Sequence, residues 1–183
     1  GQGIQLLSKT LALAATRAGR HAMLSAEVGG EMRGGPSLAS VVVADEPVRA
    51  LPILEAADAM VLAHHKFSGK PVSRLLPGGL CLVNASVVEE ADQPPGVRCV
   101  RVPAASVAKE LGAPQAGGLV LLGAFNAVTG LVPADALVEA MRELLPPYRQ
   151  QHVASNAAAL AAGADLVSGL VPALDPFGAA VSS

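Results

Sequence analysis

Aromatic side chains are nearly missing from this chain: it has no tryptophan, one tyrosine and three phenylalanines. Proteins that hold single-stranded nucleic acid stack bases on aromatic rings, and those that hold duplexes carry a basic face. With a net charge of −2 and no basic block, this chain offers neither, which excludes nucleic acid as its expected partner. Cysteine is almost as scarce. Two thiols, Cys81 and Cys99, can neither build a disulfide framework nor ligate a four-thiolate iron–sulfur cluster. Each lies in an apolar run and reads as a buried free thiol, which fits a reducing, cytoplasmic setting. No signal peptide is recognised, so a cytoplasmic location is the expectation. The longest uncharged run, Leu111 to Ala134, contains Pro114, Gln115, Asn126 and several glycines. It reads as a buried loop and helix and not as a membrane span. Charge as a whole is low, 15% of residues, which suggests a surface largely covered by other subunits.

What is abundant is small and branched apolar residues. Hydrophobic residues make up 51% of 183, enough for one well-cored domain built from Ala, Val and Leu. In chain order, Ile4 to Ala18 reads as a helix that Gly19 stops, with Ile4, Leu7, Leu11, Ala14, Ala15 and Ala18 on one face. Leu6, Ala12 and Leu13 make its other side apolar too, so burial on both sides is expected. Strands are expected at His21–Val28, Leu38–Ala44, Asp58–Ala63, Leu80–Asn84 and Val97–Val102. Pro77-Gly78-Gly79 reads as a turn ahead of the fourth, and His64 to Leu76 as a loop and helix. After a helix that starts at Pro103 or Ser106, the pattern turns wholly helical: Leu119–Val128, Ala134–Leu145 behind Pro133, and Gln150–Ala162, ended by Gly163.

This alternation predicts an α/β fold, a doubly wound, mostly parallel, Rossmann-like sheet with C-terminal helices from about residue 104. The domain is expected to span 1–165, with 166–183 as a tail.

Two stretches carry the chemistry. Gly1-Gln2-Gly3 opens the first helix, where free backbone N–H groups suit an anion. Glu31-Met32-Arg33-Gly34-Gly35-Pro36-Ser37 is a charged glycine-rich loop feeding a strand. Arg33 presents a planar fork to a carboxylate or phosphate, and Gly34 and Gly35 allow another surface to come close. A solvated turn, or an arginine paired with a neighbouring subunit's carboxylate, is the plainer reading of the same residues. His64-His65 does not make a metal site, because adjacent helical residues do not face one ion. Glu89, Glu90 and Asp92 read as a solvated acidic loop. No Ser/His/Asp arrangement, paired catalytic carboxylates or complete phosphate loop emerges, so no residue is assigned to catalysis and none to a metal.

In order along the chain, Gly1-Gln2-Gly3, Gly29-Gly30-Glu31-Met32-Arg33-Gly34-Gly35, Val41-Val42-Val43-Ala44-Asp45-Glu46-Pro47 and Ala57-Asp58 are followed by Gly78-Gly79-Leu80 with Val83-Asn84-Ala85-Ser86, then Leu121-Leu122-Gly123-Ala124-Phe125 and Asn156 with Ala159 and Gly163. This ordered set resembles the gamma subunit, or gamma domain, of the 2-oxoacid:ferredoxin oxidoreductases. It is more similar to the 2-oxoglutarate and branched-chain or aryl 2-oxoacid types than to the indolepyruvate type. Gly117-Gly118 departs from the family, which has a more polar pair there. The resemblance implies a subunit of an enzyme that oxidatively decarboxylates a 2-oxo acid with coenzyme A to an acyl-CoA, carbon dioxide and low-potential electrons. Thiamine diphosphate and [4Fe-4S] clusters would be held by alpha, beta and delta subunits, none of them by this chain alone. Ferredoxin, or NAD through a flavin subunit, would take the electrons. Gly1, Gln2, Gly3, Arg33, Gly34, Gly35 and Ser37 would be contacts facing coenzyme A or the thiamine site of a neighbouring subunit.

That family opens with a strand ending in Gly-x-Gly-Gly-Gln-Gly, of which Gly1-Gln2-Gly3 matches the last three positions. A first strand ahead of Gly1 is therefore expected, about ten residues long, or a partner's segment in its place. Two other classes fit the residues alone: a free-standing Rossmann nucleotide-binding protein, with Glu27 as its ribose-binding acid, and a scaffold subunit that touches no substrate.

Overall fold

Gly3 begins the first helix. It adopts φ 69°, closed to most side chains, and its carbonyl accepts from Leu6 and Leu7 at 2.9 and 3.1 Å. The computed structural model describes residues 3–28, 37–49, 55–64, 72–89 and 95–170. Helix α1, Ile4–Arg17, buries Leu7, Leu11, Ala14 and Ala15 of the predicted stripe; Ile4 is half-buried, and Ala18, past the last turn, is exposed. It ends on Gly19 at φ 82°, with Gly19 and Arg20 donating back to the carbonyls of Thr16 and Ala15, a Schellman closure. Leu6, Ala12 and Leu13 on its other side are half-buried, with Leu6 and Leu13 against the main core. Thr10, also in α1, is fully buried and its hydroxyl has no hydrogen-bond partner. A buried hydroxyl without a partner costs stability. Thr10→Val, close in shape, is therefore expected to stabilise the fold by about 1 kcal/mol, read as an upward shift of the denaturation midpoint.

Strands β1, His21–Val28, and β2, Ser37–Ala44, pair antiparallel from His21 opposite Ala44 to Val28 opposite Ser37. Both lie against α1. Strands β3, Ala57–Leu62, β4, Leu75–Asn84, and β5, Arg98–Val102, form a parallel sheet in the order β3-β4-β5. The α/β class with parallel strands therefore holds, and β1 with β2 adds an antiparallel pair to it. In β4 Leu80, Cys81, Leu82 and Val83 are each 0% exposed, the continuous apolar run of a strand covered on both faces.

Pro77-Gly78-Gly79 is not a turn before β4 but a kink inside it. The β3–β4 register shifts between Ala57 and Ala59, Gly78 takes φ 75°, and its N–H donates to Gly96 at 2.9 Å. A Cβ on Gly79 would meet the Asp58 carbonyl at 2.9 Å. Pairing with β3 at Leu75 and Leu80, before and after the kink, carries the strand through a tripeptide that locally favours a turn.

Beyond β5 the described residues, through 170, are helical. α2 is Ala104–Glu110, α3 Gly117–Thr129, α4 Ala134–Leu144 and α5 Val153–Val167. Short 3₁₀ segments, Pro114–Ala116 and Pro147–His152, precede α3 and α5. Helix α3 is buried almost all round and packs along α5. Gly163 lies inside α5 and does not end it; the helix runs on to Val167. The reason is contact: a Cβ on Gly163 would stand 1.9 Å from the Val120 carbonyl oxygen, and one on Gly123 1.9 Å from that of Leu160. The two backbones touch where both lack side chains.

Candidate functional site

Parallel α/β sheets present their ligand sites beyond the carboxyl ends of the strands. There, β4 ends in Asn84-Ala85-Ser86. Asn84, 2% exposed, donates to the Ala63 carbonyl at 3.3 Å and accepts from the Ser86 N–H at 3.2 Å. It thereby ties the end of β4 to the end of β3. Ser86 Oγ accepts from the N–H groups of Ala105 and Ser106 at 3.2 and 3.3 Å, closing the first turn of α2. The serine reaches across from the neighbouring strand and caps a helix whose own N-cap, Pro103, has no side-chain donor or acceptor. Both residues stand in the Val83-Asn84-Ala85-Ser86 motif, whose spacing alone does not report this linkage.

A cleft of about 320 Å³ opens between the two sheets. It is lined by Leu38 to Val43 of β2 and Ala57 to Val61 of β3, with Ile4, Leu7 and Leu11 of α1 and Leu122 and Phe125 of α3 beneath. Consecutive residues of each strand line it, so it runs along strand edges and not over one face.

Of the predicted site residues, Gly3 lies at the start of α1, beside Ile4 at this cleft, and Ser37 is exposed at the first position of β2. Gly1, Gln2, Arg33, Gly34 and Gly35 fall outside the described residues. The chain carrying Arg33 joins β1 to β2 past the pair Val28 and Ser37. His64 follows β3, and His65 falls outside the described residues.

Cys81 and Cys99 sit opposite one another in the β4–β5 register. Burial, and then the neighbouring Cys99 thiol, push Cys81 from 9.0 up to about 12, and burial also raises Cys99. These thiols stay protonated near neutrality and are poor nucleophiles. Alkylation of Cys81 at pH 8 is expected to run at least tenfold slower in the native protein than in the unfolded chain, followed by intact mass. The same shift sets a sign. Because the folded thiol keeps its proton longer, this stabilisation is complete below pH 9 and is lost as pH rises toward 12.

Among the described residues no three His, Cys, Asp or Glu side chains converge as a metal ion requires. The sequence holds two cysteines, fewer than the four thiolates that a [4Fe-4S] cluster takes. No helix among the described residues is long and apolar enough to cross a membrane.

Residues 1–166 match the family model described as pyruvate ferredoxin/flavodoxin oxidoreductase. The chain belongs to that family. It is 30% identical over 174 residues to the 2-oxoglutarate synthase subunit KorC of Methanothermobacter thermautotrophicus, covering 91% of this chain and 90% of the relative. Among solved structures, the gamma subunit of a keto/oxoacid ferredoxin oxidoreductase from Geobacter sulfurreducens superposes with a TM-score of 0.74 at 28% identity, over 90% of both chains. The 2-oxoglutarate:ferredoxin oxidoreductase of Magnetococcus marinus matches 96% of this chain with 30% of its own, at a TM-score of 0.83 and 21% identity, which speaks for the fold. The family resemblance read from the ordered motifs therefore holds, and the gamma-type fold with it.

Proposed function

We propose that this chain is the gamma-type subunit of a heteromeric 2-oxoacid:ferredoxin oxidoreductase. The reaction converts a 2-oxo acid and coenzyme A to an acyl-CoA and carbon dioxide, and transfers two electrons to ferredoxin. The observation that carries this reading is end-to-end similarity, about 90% of both chains, to proteins that are themselves single subunits of such enzymes. The scarcity of cysteine agrees with it, since the clusters must be ligated by other chains. Thiamine diphosphate would then supply the carbanion chemistry from alpha- and beta-type subunits, with a delta-type subunit carrying [4Fe-4S] clusters. The relatives point first to a 2-oxo acid of the 2-oxoglutarate or branched-chain class.

The test is to purify the chain with its natural partners through a C-terminal tag. Dye or ferredoxin reduction is then assayed with 2-oxoglutarate, 2-oxoisovalerate and pyruvate, each with and without coenzyme A. Co-purifying subunits and coenzyme A-dependent reduction with one of these acids are expected. A chain that purifies alone and binds NAD or FAD would establish the free-standing nucleotide-binding alternative instead.

In this reading the loop after β1 faces a neighbouring subunit, with Arg33 pairing a carboxylate or a coenzyme A phosphate. Arg33→Ala is expected to lower coenzyme A-dependent turnover or complex yield about tenfold, with the thermal midpoint of this domain unchanged. Turnover and assembly equal to wild type would remove Arg33, Gly34, Gly35 and Ser37 from the site.

A further inference from the structure

The chain's two thiols stand side by side, and nothing in the proposed reaction uses them. Cys81 of β4 is the register partner of Cys99 of β5 in the parallel sheet. Adjacent strands lie about 4.8 Å apart, and a disulfide bridges Cα atoms roughly 4.4–6.8 Å apart. Both side chains point to the sheet face away from the main core. Cys81 belongs to a small apolar cluster with Leu62, Leu75, Val83 and Val88, and Cys99 packs against it. The two thiols are hydrogen-bonded to each other. They are not equivalent. Cys81 is completely buried and Cys99 only half-buried. Burial raises the Cys99 pKa, but the hydrogen bond from Cys81 and the Arg101 guanidinium both pull it back. At Cys81, burial and then Cys99 push only upward. Arg101, two residues after Cys99, is held by its donation to the Val88 carbonyl at 2.9 Å.

We propose that Cys81 and Cys99 form an oxidation site, which a hydroperoxide converts to a reversible disulfide between β4 and β5. Cys99 meets the oxidant and Cys81 resolves it. In the first step the Cys99 thiolate attacks an oxygen of hydrogen peroxide, the O–O bond breaks, and water leaves behind a sulfenic acid. In the second, the Cys81 sulfur attacks the Cys99 sulfur, the S–O bond breaks, and a second water carries away the Cys81 proton. The two thiols give up two electrons and two protons, and one hydrogen peroxide becomes two waters. Entry is slow, because Cys99 is mostly protonated near neutrality. Closure is fast, because the resolving sulfur is already in contact and acts at high effective concentration. The pair therefore closes before Cys99 can climb to the irreversible sulfinic acid. A lone half-buried thiol on this face would have no such protection.

The experiment treats the complex, isolated from its own cells without air, with excess hydrogen peroxide. Remaining thiols are then alkylated in denaturant, and this chain is mapped by a non-reducing tryptic digest. Cleavage after Arg74, Arg98 and Arg101 puts Cys81 in the peptide 75–98 and Cys99 in the peptide 99–101. The two peptides are expected to appear joined in most chains, lighter by the two hydrogens lost, and to separate with dithiothreitol. Cys81→Ala should leave Cys99 as sulfinic or sulfonic acid. Cys99→Ala should slow oxidation of Cys81 at least tenfold. Two alkylated thiols after peroxide treatment of the wild type would overturn the proposal. So would over-oxidised Cys99 beside a free Cys81, since the pair would then not close. Oxidation of Cys81 at the wild-type rate in Cys99→Ala would overturn the assigned roles. The wild-type map decides the bond itself, whether or not either variant folds.

Discussion

Replacing Gly163 with alanine is expected to destabilise the domain by about 3 kcal/mol, lowering its melting temperature by roughly 6–12 °C. Two effects oppose each other at this position. Alanine favours a helix over glycine by about 1 kcal/mol, so on propensity alone the substitution should help. The added Cβ, however, would lie 1.9 Å from the Val120 carbonyl oxygen and 2.9 Å from the Ala124 nitrogen. Both are backbone atoms in the middle of a buried helix and cannot swing aside, so α3 and α5 must separate along their shared face. Gly123→Ala meets the Leu160 carbonyl at the same 1.9 Å and should cost as much. Because both substitutions force the same separation, the double variant should cost less than the sum of the two. Gly117→Ala is the control. It sits in the first turn of α3, its Cβ would find nothing closer than 3.5 Å, and a small stabilisation is expected there. Thermal melts of the four variants decide the matter. An unchanged melting temperature for Gly163→Ala would mean that the helices are not in contact.

The second large effect is expected at Asn126. Its side chain donates to the Val132 carbonyl at 2.8 Å and accepts from the Val132 N–H at 3.0 Å, all buried. This clamp closes the turn from α3 to α4 behind Gly130, at φ 59°. Asn126→Asp changes one atom and should destabilise by about 3 kcal/mol at neutral pH. A carboxylate keeps the acceptor but turns the donor into a second negative oxygen facing a carbonyl. The variant also predicts a pH dependence with a definite sign. Protonation restores an O–H donor, so the folded state raises the pKa of this carboxyl above its unfolded value. The variant's deficit should therefore be smallest in acid, below the carboxyl's unfolded pKa, and grow as pH rises through the raised folded value. Denaturant midpoints at several pH values, each against wild type, give the measurement. A deficit independent of pH would contradict the clamp.

These two sites mark where the sequence was readable and where it was not. Strands β1 to β5 were legible within a few residues at most ends, because Val, Ala and Leu runs between Gly and Pro have few alternatives as buried strands. Gly163 was misread as a helix stop. Its meaning depends on Val120, more than forty positions away, and no local pattern reports a contact at that range. Pro77-Gly78-Gly79 was misread as a turn for a related reason: pairing with β3 and the hydrogen bond to Gly96 hold it inside β4. Asn126 carried only half a signal, since a polar residue in an apolar helix announces a partner without naming it. The family was legible because its motifs recur in order. The stretch around Arg33 lies outside the described residues, and its proposed contact rests on residue chemistry alone.

Ser86 carries a consequence for anions at the first turn of α2. Its hydroxyl oxygen occupies the place in front of α2 where two amide hydrogens converge. A phosphate oxygen would take that same position, and the serine serves as a built-in surrogate for it. The first turn of α2 is thereby closed by the protein itself, and its two amides are already satisfied. A phosphate group arriving at this turn would have to displace the serine before it could reach those two amides.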